Sequence, residues 1–397
     1  MSILSHRIEN LQESATIMMA KLSRELKAKG IKVIDLSLGE PDFDTPLHIQ
    51  EAAKKAIDEH YFKYMPVSGY LDLRQYISEK FQRDNHLHYA PEQIVVSTGA
   101  KQSLVNVILS LVNPGDEVII PAPYWVSYAA MVQLAEGVIV EIPTTIAQDF
   151  KISPQQLEAA ITPRSKVLLY SSPCNPTGSV YSEQELHALA KVLAKHPQII
   201  VVSDEIYEYI NFTDKHASMA AFEEVKDRVV TVNGLSKGFA MTGWRLGYMG
   251  APLAIAKACD KMQGQFTSGT CSISQRAAIA ALTGTMEPTY AMRDAFERRR
   301  DLVLEQLGTI EGMILNKPEG AFYVFPDVRA FIGKSYEGTI IENVDDLCMF
   351  LLNDAHVSLV SGAAFGDSSC VRLSYAASEN DLREATKRIK QYLEMLR

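Results

Sequence analysis

The chain has 397 residues, 47% of them hydrophobic and 22% charged, with a formal net charge of −9 at pH 7. That length exceeds what one core usually serves and predicts two domains, while the acidic balance speaks against nucleic-acid binding, which calls for a basic surface. Five scattered cysteines, Cys174, Cys259, Cys271, Cys348 and Cys370, show no CxxC spacing, which excludes a zinc site and a disulfide framework and suits a reducing compartment.

In chain order, the opening stretch MSILSHRIENLQESATIMMAKL carries Arg7 and Glu9 and has no apolar core of signal-peptide length. No apolar run approaches the roughly 20 residues that cross a bilayer, so the expectation is a soluble, cytoplasmic chain with no membrane partner. His86 and His88, in NHLHYAP, lack an acid or thiol at metal spacing; they read as loop or surface residues, and no metal is expected.

From about 93 to 251, short β-branched runs alternate with helical patterns. The strand candidates are QIVVSTG, DEVIIPAP, GVIVEIP, SKVLLYSSP, QIIVVSDE and VVTVNG. Several are apolar without alternation, as strands buried on both faces of a parallel sheet are. Helical patterns such as AKQSLVNVILSLV and SEQELHALAKVLAKH lie between them, and this alternation defines an α/β domain. Only a short turn separates VVTVNG from the next candidate, WRLGYMGAP, and a parallel crossover needs a dozen or more residues. The last strand should therefore run antiparallel.

Beyond about 285 the pattern changes. A long helix candidate, YAMRDAFERRRDLVLEQL, precedes MILNKPEGAFYVFPDV, VSLVSGAAFG and CVRLSYAA, and the chain closes on the amphipathic SENDLREATKRIKQYLEML. The ERRR run at 297–300 reads as a solvated helix face. The expected fold is α/β: a large domain with a mostly parallel seven-stranded sheet, one strand antiparallel, flanked by helices, plus a smaller α+β domain. The boundaries place residues 1–47 with the small domain, 48–290 in the large domain and 291–397 in the small one.

In an open parallel sheet, ligands gather at the carboxyl ends of the strands. The polar residues there are Gly99 to Lys101, Asn175, Asp204, Tyr207 and Lys237. STGAKQS, residues 97–103, lacks the first glycine of a nucleotide P-loop, and no GxGxxG occurs. A smaller phosphate on the helix N-terminus remains supported. In NGLSKGFAMTGWRLGYMG, Lys237 can form a Schiff base if its amine stays partly neutral. Arg245 offers a two-pronged clamp for a phosphate. An arginine inside the apolar CVRLSYA, Arg372, is itself unusual, because an unpaired buried charge is expensive.

SPCNPTG, SDEIY and SKGFAMTGWRLG occur in this order, with DLSLGEPDFDTP upstream and VRLSYA downstream. Together they resemble the class I aminotransferases among the fold type I pyridoxal-phosphate (PLP) enzymes, over nearly the full length. The resemblance implies PLP as cofactor, an amino acid and a 2-oxo acid as substrates, and catalysis by Lys237, Asp204 and Tyr207. Lys237 would carry the cofactor aldehyde and move the substrate Cα proton. Asp204 would pair with the pyridine nitrogen, so that the ring serves as an electron sink. Asn175 and Tyr207 would donate to the ring's phenolic oxygen, and Trp125 would stack on the ring face. The phosphate would rest on Gly99, Ala100, Lys101, Ser236 and Arg245, with Tyr64 reaching it from a neighbouring subunit, which implies a homodimer with shared active sites. Arg372 would grip the substrate α-carboxylate beside Gly39, Trp125 and Asn175. For Asp204 and Tyr207 to reach one ring, the strand must end between them, since residues three apart in a strand face opposite sides.

Lys101, in GAKQ, matches the distal-carboxylate lysine of the beta branch of subgroup I aspartate aminotransferases. Ser14 and Thr16 match a segment that closes over substrate in that branch. The expected reaction is ping-pong transamination of L-aspartate with 2-oxoglutarate to oxaloacetate and L-glutamate. Prephenate or an aromatic amino acid is the alternative substrate, and a carbon–sulfur β-lyase is the competing enzyme class. A PLP-binding transcription regulator has no room for its DNA-binding module, because the resemblance begins near residue 10. Asp367 to Cys370 depart from the family's glycines, and Cys174 has no assigned role.

Overall fold

The computed structural model describes residues 3–397. After a helix at Ala15–Ala28 comes a two-residue strand, β1 (Ile34–Asp35). The main sheet is then laid down in seven strands: β2 (Ile94–Ser97), β3 (Glu117–Ala122), β4 (Val138–Pro143), β5 (Ser165–Ser171), β6 (Ile200–Asp204), β7 (Val229–Gly234) and β8 (Gly247–Gly250). Their spatial order is β2-β8-β7-β6-β5-β3-β4. β8 runs antiparallel to both its neighbours, and every other pair is parallel. This is the sheet the sequence predicts, with its single reversed strand.

The unbroken apolar runs follow from burial on both faces. Alternate side chains of a strand point to opposite sides, and here each side has its own core. Ile94, Val96, Ile119, Leu168 and Val201 pack into one hydrophobic cluster. Their chain neighbours Val95, Val118, Val167, Leu169 and Val202 pack into another. Only the edge strand β4 departs, with Val138 44% exposed.

A third core gathers Met19, Val33 and Leu36 from the start of the chain with Met292, Phe296, Val303 and Leu393 from its end. Here lie β9 (Tyr323–Val324), the hairpin β10 (Ser335–Tyr336) and β11 (Thr339–Ile340), then β12 (Val357–Ser358), β13 (Val360–Ser361) and β14 (Val371–Ser374). β1 pairs in parallel with β12, and β14 is flanked antiparallel by β13 and β9. Residue 290 falls in the first turn of the continuous helix Glu287–Leu307.

That helix corrects one expectation. Of the ERRR run, only Arg298 is a freely exposed arginine. Arg299 pairs with Asp42 at 2.6 Å and lies over the rings of Phe43 and Phe296. Arg300 is buried, reaching Asp301 and the Pro318 carbonyl. The helix passes beneath the N-terminal segment, and that cover makes its arginines structural. His86 and His88 are exposed. Among the described residues, no helix is long and apolar enough to cross a membrane.

Candidate active site

At the carboxyl ends of β2, β3, β5, β6 and β7 lies a cavity of about 430 Å³, within the size range of small-molecule sites. It is built from sequence-distant segments. The β2 end delivers Ala100 and Lys101, the turn after β3 Trp125, the loop after β5 Asn175, and the β6 end Asp204 and Tyr207. Ser236, Lys237 and Arg245 come from the β7–β8 connection, Arg372 from β14, and Ser14, Thr16 and Gly39 from the N-terminal segment. β6 ends at Asp204, so Tyr207 lies beyond the strand and reaches the same cavity. Gly99 sits just behind the wall. Tyr64 is not brought to this cavity by its own chain; it is 98% exposed.

The phosphate-sized end is shaped by glycine. Gly99 adopts φ 83° before the helix Ala100–Leu111, a conformation that favours glycine. A side chain at Gly99 would strike the Arg245 guanidinium, and one at Gly247 would strike the backbone of Ala100. Close packing of Gly247 under the turn thus leaves the first amides of a twelve-residue helix beside Arg245 and Ser236, an anion cradle. Arg245 itself sits at φ 52° and donates to the Thr242 carbonyl at 2.9 Å.

Asp204 is buried at the other side. Its carboxylate accepts from the Tyr128 hydroxyl at 2.8 Å and from the Ile206 amide at 3.3 Å. Burial raises its pKa to about 6, against the pull of the Tyr128 hydrogen bond. Lys237 donates to the Gly39 carbonyl, its only hydrogen-bond acceptor among the described residues. Burial lowers its pKa to about 8; Glu40 opposes that shift, and Arg372 and Arg245 add to it. An amine so tuned is neutral often enough near pH 7 to act as base or nucleophile.

Arg372 is 1% exposed and, among the described residues, has no carboxylate partner. One nitrogen donates to Asn175 at 3.0 Å and another to the Ser37 carbonyl, while Nε is left without an acceptor. Its guanidinium lies 4.6 Å from the Tyr323 ring centroid. A buried cation without a counter-charge is a receptor for an anion. Lys101 places its ammonium 4.9 Å from the Trp125 ring centroid, and desolvation, followed by Arg245, lowers its pKa.

Tyr128, Tyr323 and Glu40 line the cavity and escape the sequence reading. Tyr128 stands three residues after Trp125, where a strand end turning into a helix was the available signal. Tyr323 carried none, because its relation to Tyr207 (hydroxyls 2.8 Å apart) arises from tertiary packing. The departure at Asp367–Cys370 is a self-closed turn, with Asp367 accepting from the Ser369 amide at 2.9 Å. Cys174 is a thiol whose pKa burial raises, near the Pro123 carbonyl. The carboxylates of Glu205 and Glu208 are occupied by Ser203, Ser218, His216, Lys80 and Asn85.

These residues fit pyridoxal phosphate. A desolvated carboxylate with no ion pair among the described residues, a glycine-built anion cradle and a lysine of depressed pKa each answer one part of that group.

Residues 31–389 match the model of the family described as aminotransferase class I and II. The chain is 47% identical to a bifunctional aspartate aminotransferase and glutamate/aspartate-prephenate aminotransferase of Petunia hybrida, covering 98% of this chain and 82% of that protein. It is also 47% identical to an aspartate/prephenate aminotransferase of Cereibacter sphaeroides, over 99% of each. The crystal structure of an aspartate aminotransferase from Rhizobium meliloti superposes with a TM-score of 0.96 at 42% identity, covering 100% of both chains.

Proposed function

The chain belongs to the class I and II aminotransferase family, and we propose that it transfers the amino group of L-aspartate to 2-oxoglutarate, giving oxaloacetate and L-glutamate. It is a PLP-dependent enzyme acting on an amino acid and a 2-oxo acid. The observation that carries the aspartate reading is the pair of cations in one cavity, Arg372 and Lys101, neither paired with a carboxylate among the described residues.

Bound PLP supplies an aldehyde for the amino group and a ring that accepts the electron pair left when the Cα–H bond breaks. Lys237 would carry the proton away from the substrate Cα. Asp204 would keep a positive charge on the ring nitrogen, Tyr207 and Asn175 would donate to the ring oxygen, and Trp125 would hold the ring face. The amides of Gly99 to Lys101 would hold the phosphate with Ser236 and Arg245. Arg372 fixes the α-carboxylate beside Gly39 through a bidentate pair, and Lys101 takes the distal carboxylate, with Ser14 and Thr16 covering the substrate. The reading includes a homodimer in which Tyr64 serves the neighbouring protomer's cavity, supported by the exposed aromatics Phe62 and Tyr64 on one segment. It also includes the domain division at residues 47 and 290. The five free cysteines support a cytoplasmic setting.

A second reading, prephenate as acceptor, is favoured by the same two cations, since prephenate also carries two carboxylates. The test is spectroscopic and kinetic. The visible band of the yellow protein should collapse on adding aspartate but not alanine or phenylalanine. Lys101→Ala should lose at least about tenfold in kcat/KM for aspartate, the scale of one charge-assisted contact, and far less for a neutral amino acid. An equal loss for both removes Lys101 from substrate recognition. Release of pyruvate and ammonia without a keto acid would instead establish a lyase.

A further inference from the structure

Tyr64 sits at the tip of a loop whose two ends meet on one side chain far along the sequence. Residues 63–65 make no hydrogen bond among the described residues, so the ends of the loop set their direction. The downstream end is tied by hydrogen bonds from outside: Gln263 donates to the Val67 carbonyl at 2.8 Å, the Val96 amide to the Ser68 carbonyl at 3.0 Å, and the Tyr70 amide to the Gln275 side chain at 2.9 Å. At the upstream end the Ser272 hydroxyl donates to the Tyr61 carbonyl, and the ring of Tyr61 is held by Arg276.

Arg276 belongs to the helix Ser272–Thr283, and its side chain is 15% exposed. Its guanidinium lies 4.9 Å from the Tyr61 ring centroid and 4.4 Å from that of Tyr70. The two rings themselves meet edge to face, 5.9 Å apart. Both terminal nitrogens of the guanidinium donate to Asp72 at 2.6 Å, a two-pronged pair that fixes the plane of the cation. Little water reaches it, which strengthens its attraction to the rings. Tyr61 and Tyr70 bracket the span that carries Tyr64, so one cation pins both ends, as the close ends of an Ω-loop are pinned. We infer that Arg276 is a positioning residue for the neighbouring protomer's phosphate site, acting through Tyr61 and the loop that carries Tyr64. The inference rests on the homodimer proposed above.

The segment leading into the same helix also borders the chain's own phosphate cradle, where Thr270 bonds Thr98 at 2.9 Å and Thr267 accepts from Gln102. A lesion that travels this way weakens the chain's own site, and one that travels through Tyr64 weakens the partner's. The test therefore measures PLP affinity in dimers assembled from two differently tagged chains, read by the visible band that only a Lys237-bound cofactor gives. K237A silences one site, and a dimer of one K237A chain with one parent chain is the reference.

In the first hybrid one chain carries both K237A and R276M and its partner is unaltered. The remaining site depends on the altered loop, and its PLP affinity should fall about three- to tenfold, up to the loss of one charge-assisted hydrogen bond. In the second hybrid K237A and R276M stand on opposite chains. The remaining site is then served by an intact loop and should match the reference. Adding R276M to Y64F should cost nothing further, because both act on one contact. Equal losses in the two hybrids, or a loss in the second alone, would place the effect of Arg276 in its own protomer and sink the inference. D72N frees the cation but leaves it over the rings; it should give a smaller loss, in the first hybrid only, and it decides the matter if R276M folds poorly. Y64F in the same hybrids tests the reading beneath. A monomeric protein, or a Y64F chain without effect in the first arrangement, overturns the shared site itself. A Y64F loss there beside an unaltered R276M overturns only the role of Arg276.

Discussion

Asp204 and Tyr128 show how one neutral hydroxyl can decide the charge of a buried acid. The carboxylate has lost its water, so its charged form depends on the donors that remain, and Tyr128 is the one side-chain donor among the described residues. Without that hydroxyl, the pKa of about 6 moves up towards neutrality, and Asp204 spends more time unable to balance a cation. Tyr128→Phe is therefore expected to weaken PLP binding by about tenfold or more, the scale of a hydrogen bond to a charged group, and to move the acid limb of the activity profile to higher pH. Fluorescence titration of the cofactor-free protein checks the first expectation, and unaltered affinity would show that the Ile206 amide suffices. At this scale the sequence was informative where a residue sits in a motif, as Lys237, Asp204, Asn175 and Arg372 do. It was silent on Tyr323 and Glu40, whose meaning depends on partners 116 and 202 residues away.

Elements were legible in proportion to their burial. Most main-sheet strands could be read because both faces are covered, which leaves an unbroken apolar run; the edge strand β4 is part exposed, and β8, which is GYMG, was placed by the short turn before it. The strands of the third core are mostly two residues long, too short to carry any period. The ERRR run was misread because its helix lies beneath a segment more than 250 residues earlier in the chain. The meeting of β8 with the helix Ala100–Leu111 makes a sharp expectation about glycine. Gly247→Ala drives a methyl into the Ala100 backbone, so the helix start must shift. A loss of about 1–3 kcal/mol in stability is expected, together with weaker PLP binding because the cradle amides move. Gly264→Ala, inside the helix Leu253–Phe266, meets only Val67 at ordinary contact distance and should gain about 0.5–1 kcal/mol from helix propensity. Denaturant midpoints of the two variants should fall on opposite sides of the parent, and same-sided shifts would contradict this account of the packing.

At the scale of the whole molecule, the site keeps three desolvated ionisable groups, Asp204, Lys237 and Arg372, out of any ion pair among the described residues, and such sites reduce stability in exchange for function. Lys237 makes the effect measurable. Its pKa falls from 10.5 to about 8 on burial, so the folded cofactor-free protein binds fewer protons than the unfolded chain between those values. Stability should then rise with pH across that window. Below pH 8 the ammonium is charged in both states and the full penalty applies; above 10.5 the amine is neutral in both and the penalty is gone. A shift of this size corresponds to at most about 3 kcal/mol, less whatever solvent still reaches the amine. Lys237→Met removes the group while keeping its volume. Urea unfolding of the cofactor-free proteins at pH 7.5 and 10 should show Lys237→Met more stable than the parent at the lower pH, with the gap closing at the higher. Asp204, whose pKa is raised, acts in the opposite direction between about pH 4 and 6 and leaves this window untouched. A constant gap at both pH values would mean that Lys237 carries no buried charge in the free protein. Its readiness to take the Cα proton would then have to come from the bound cofactor instead of from the fold.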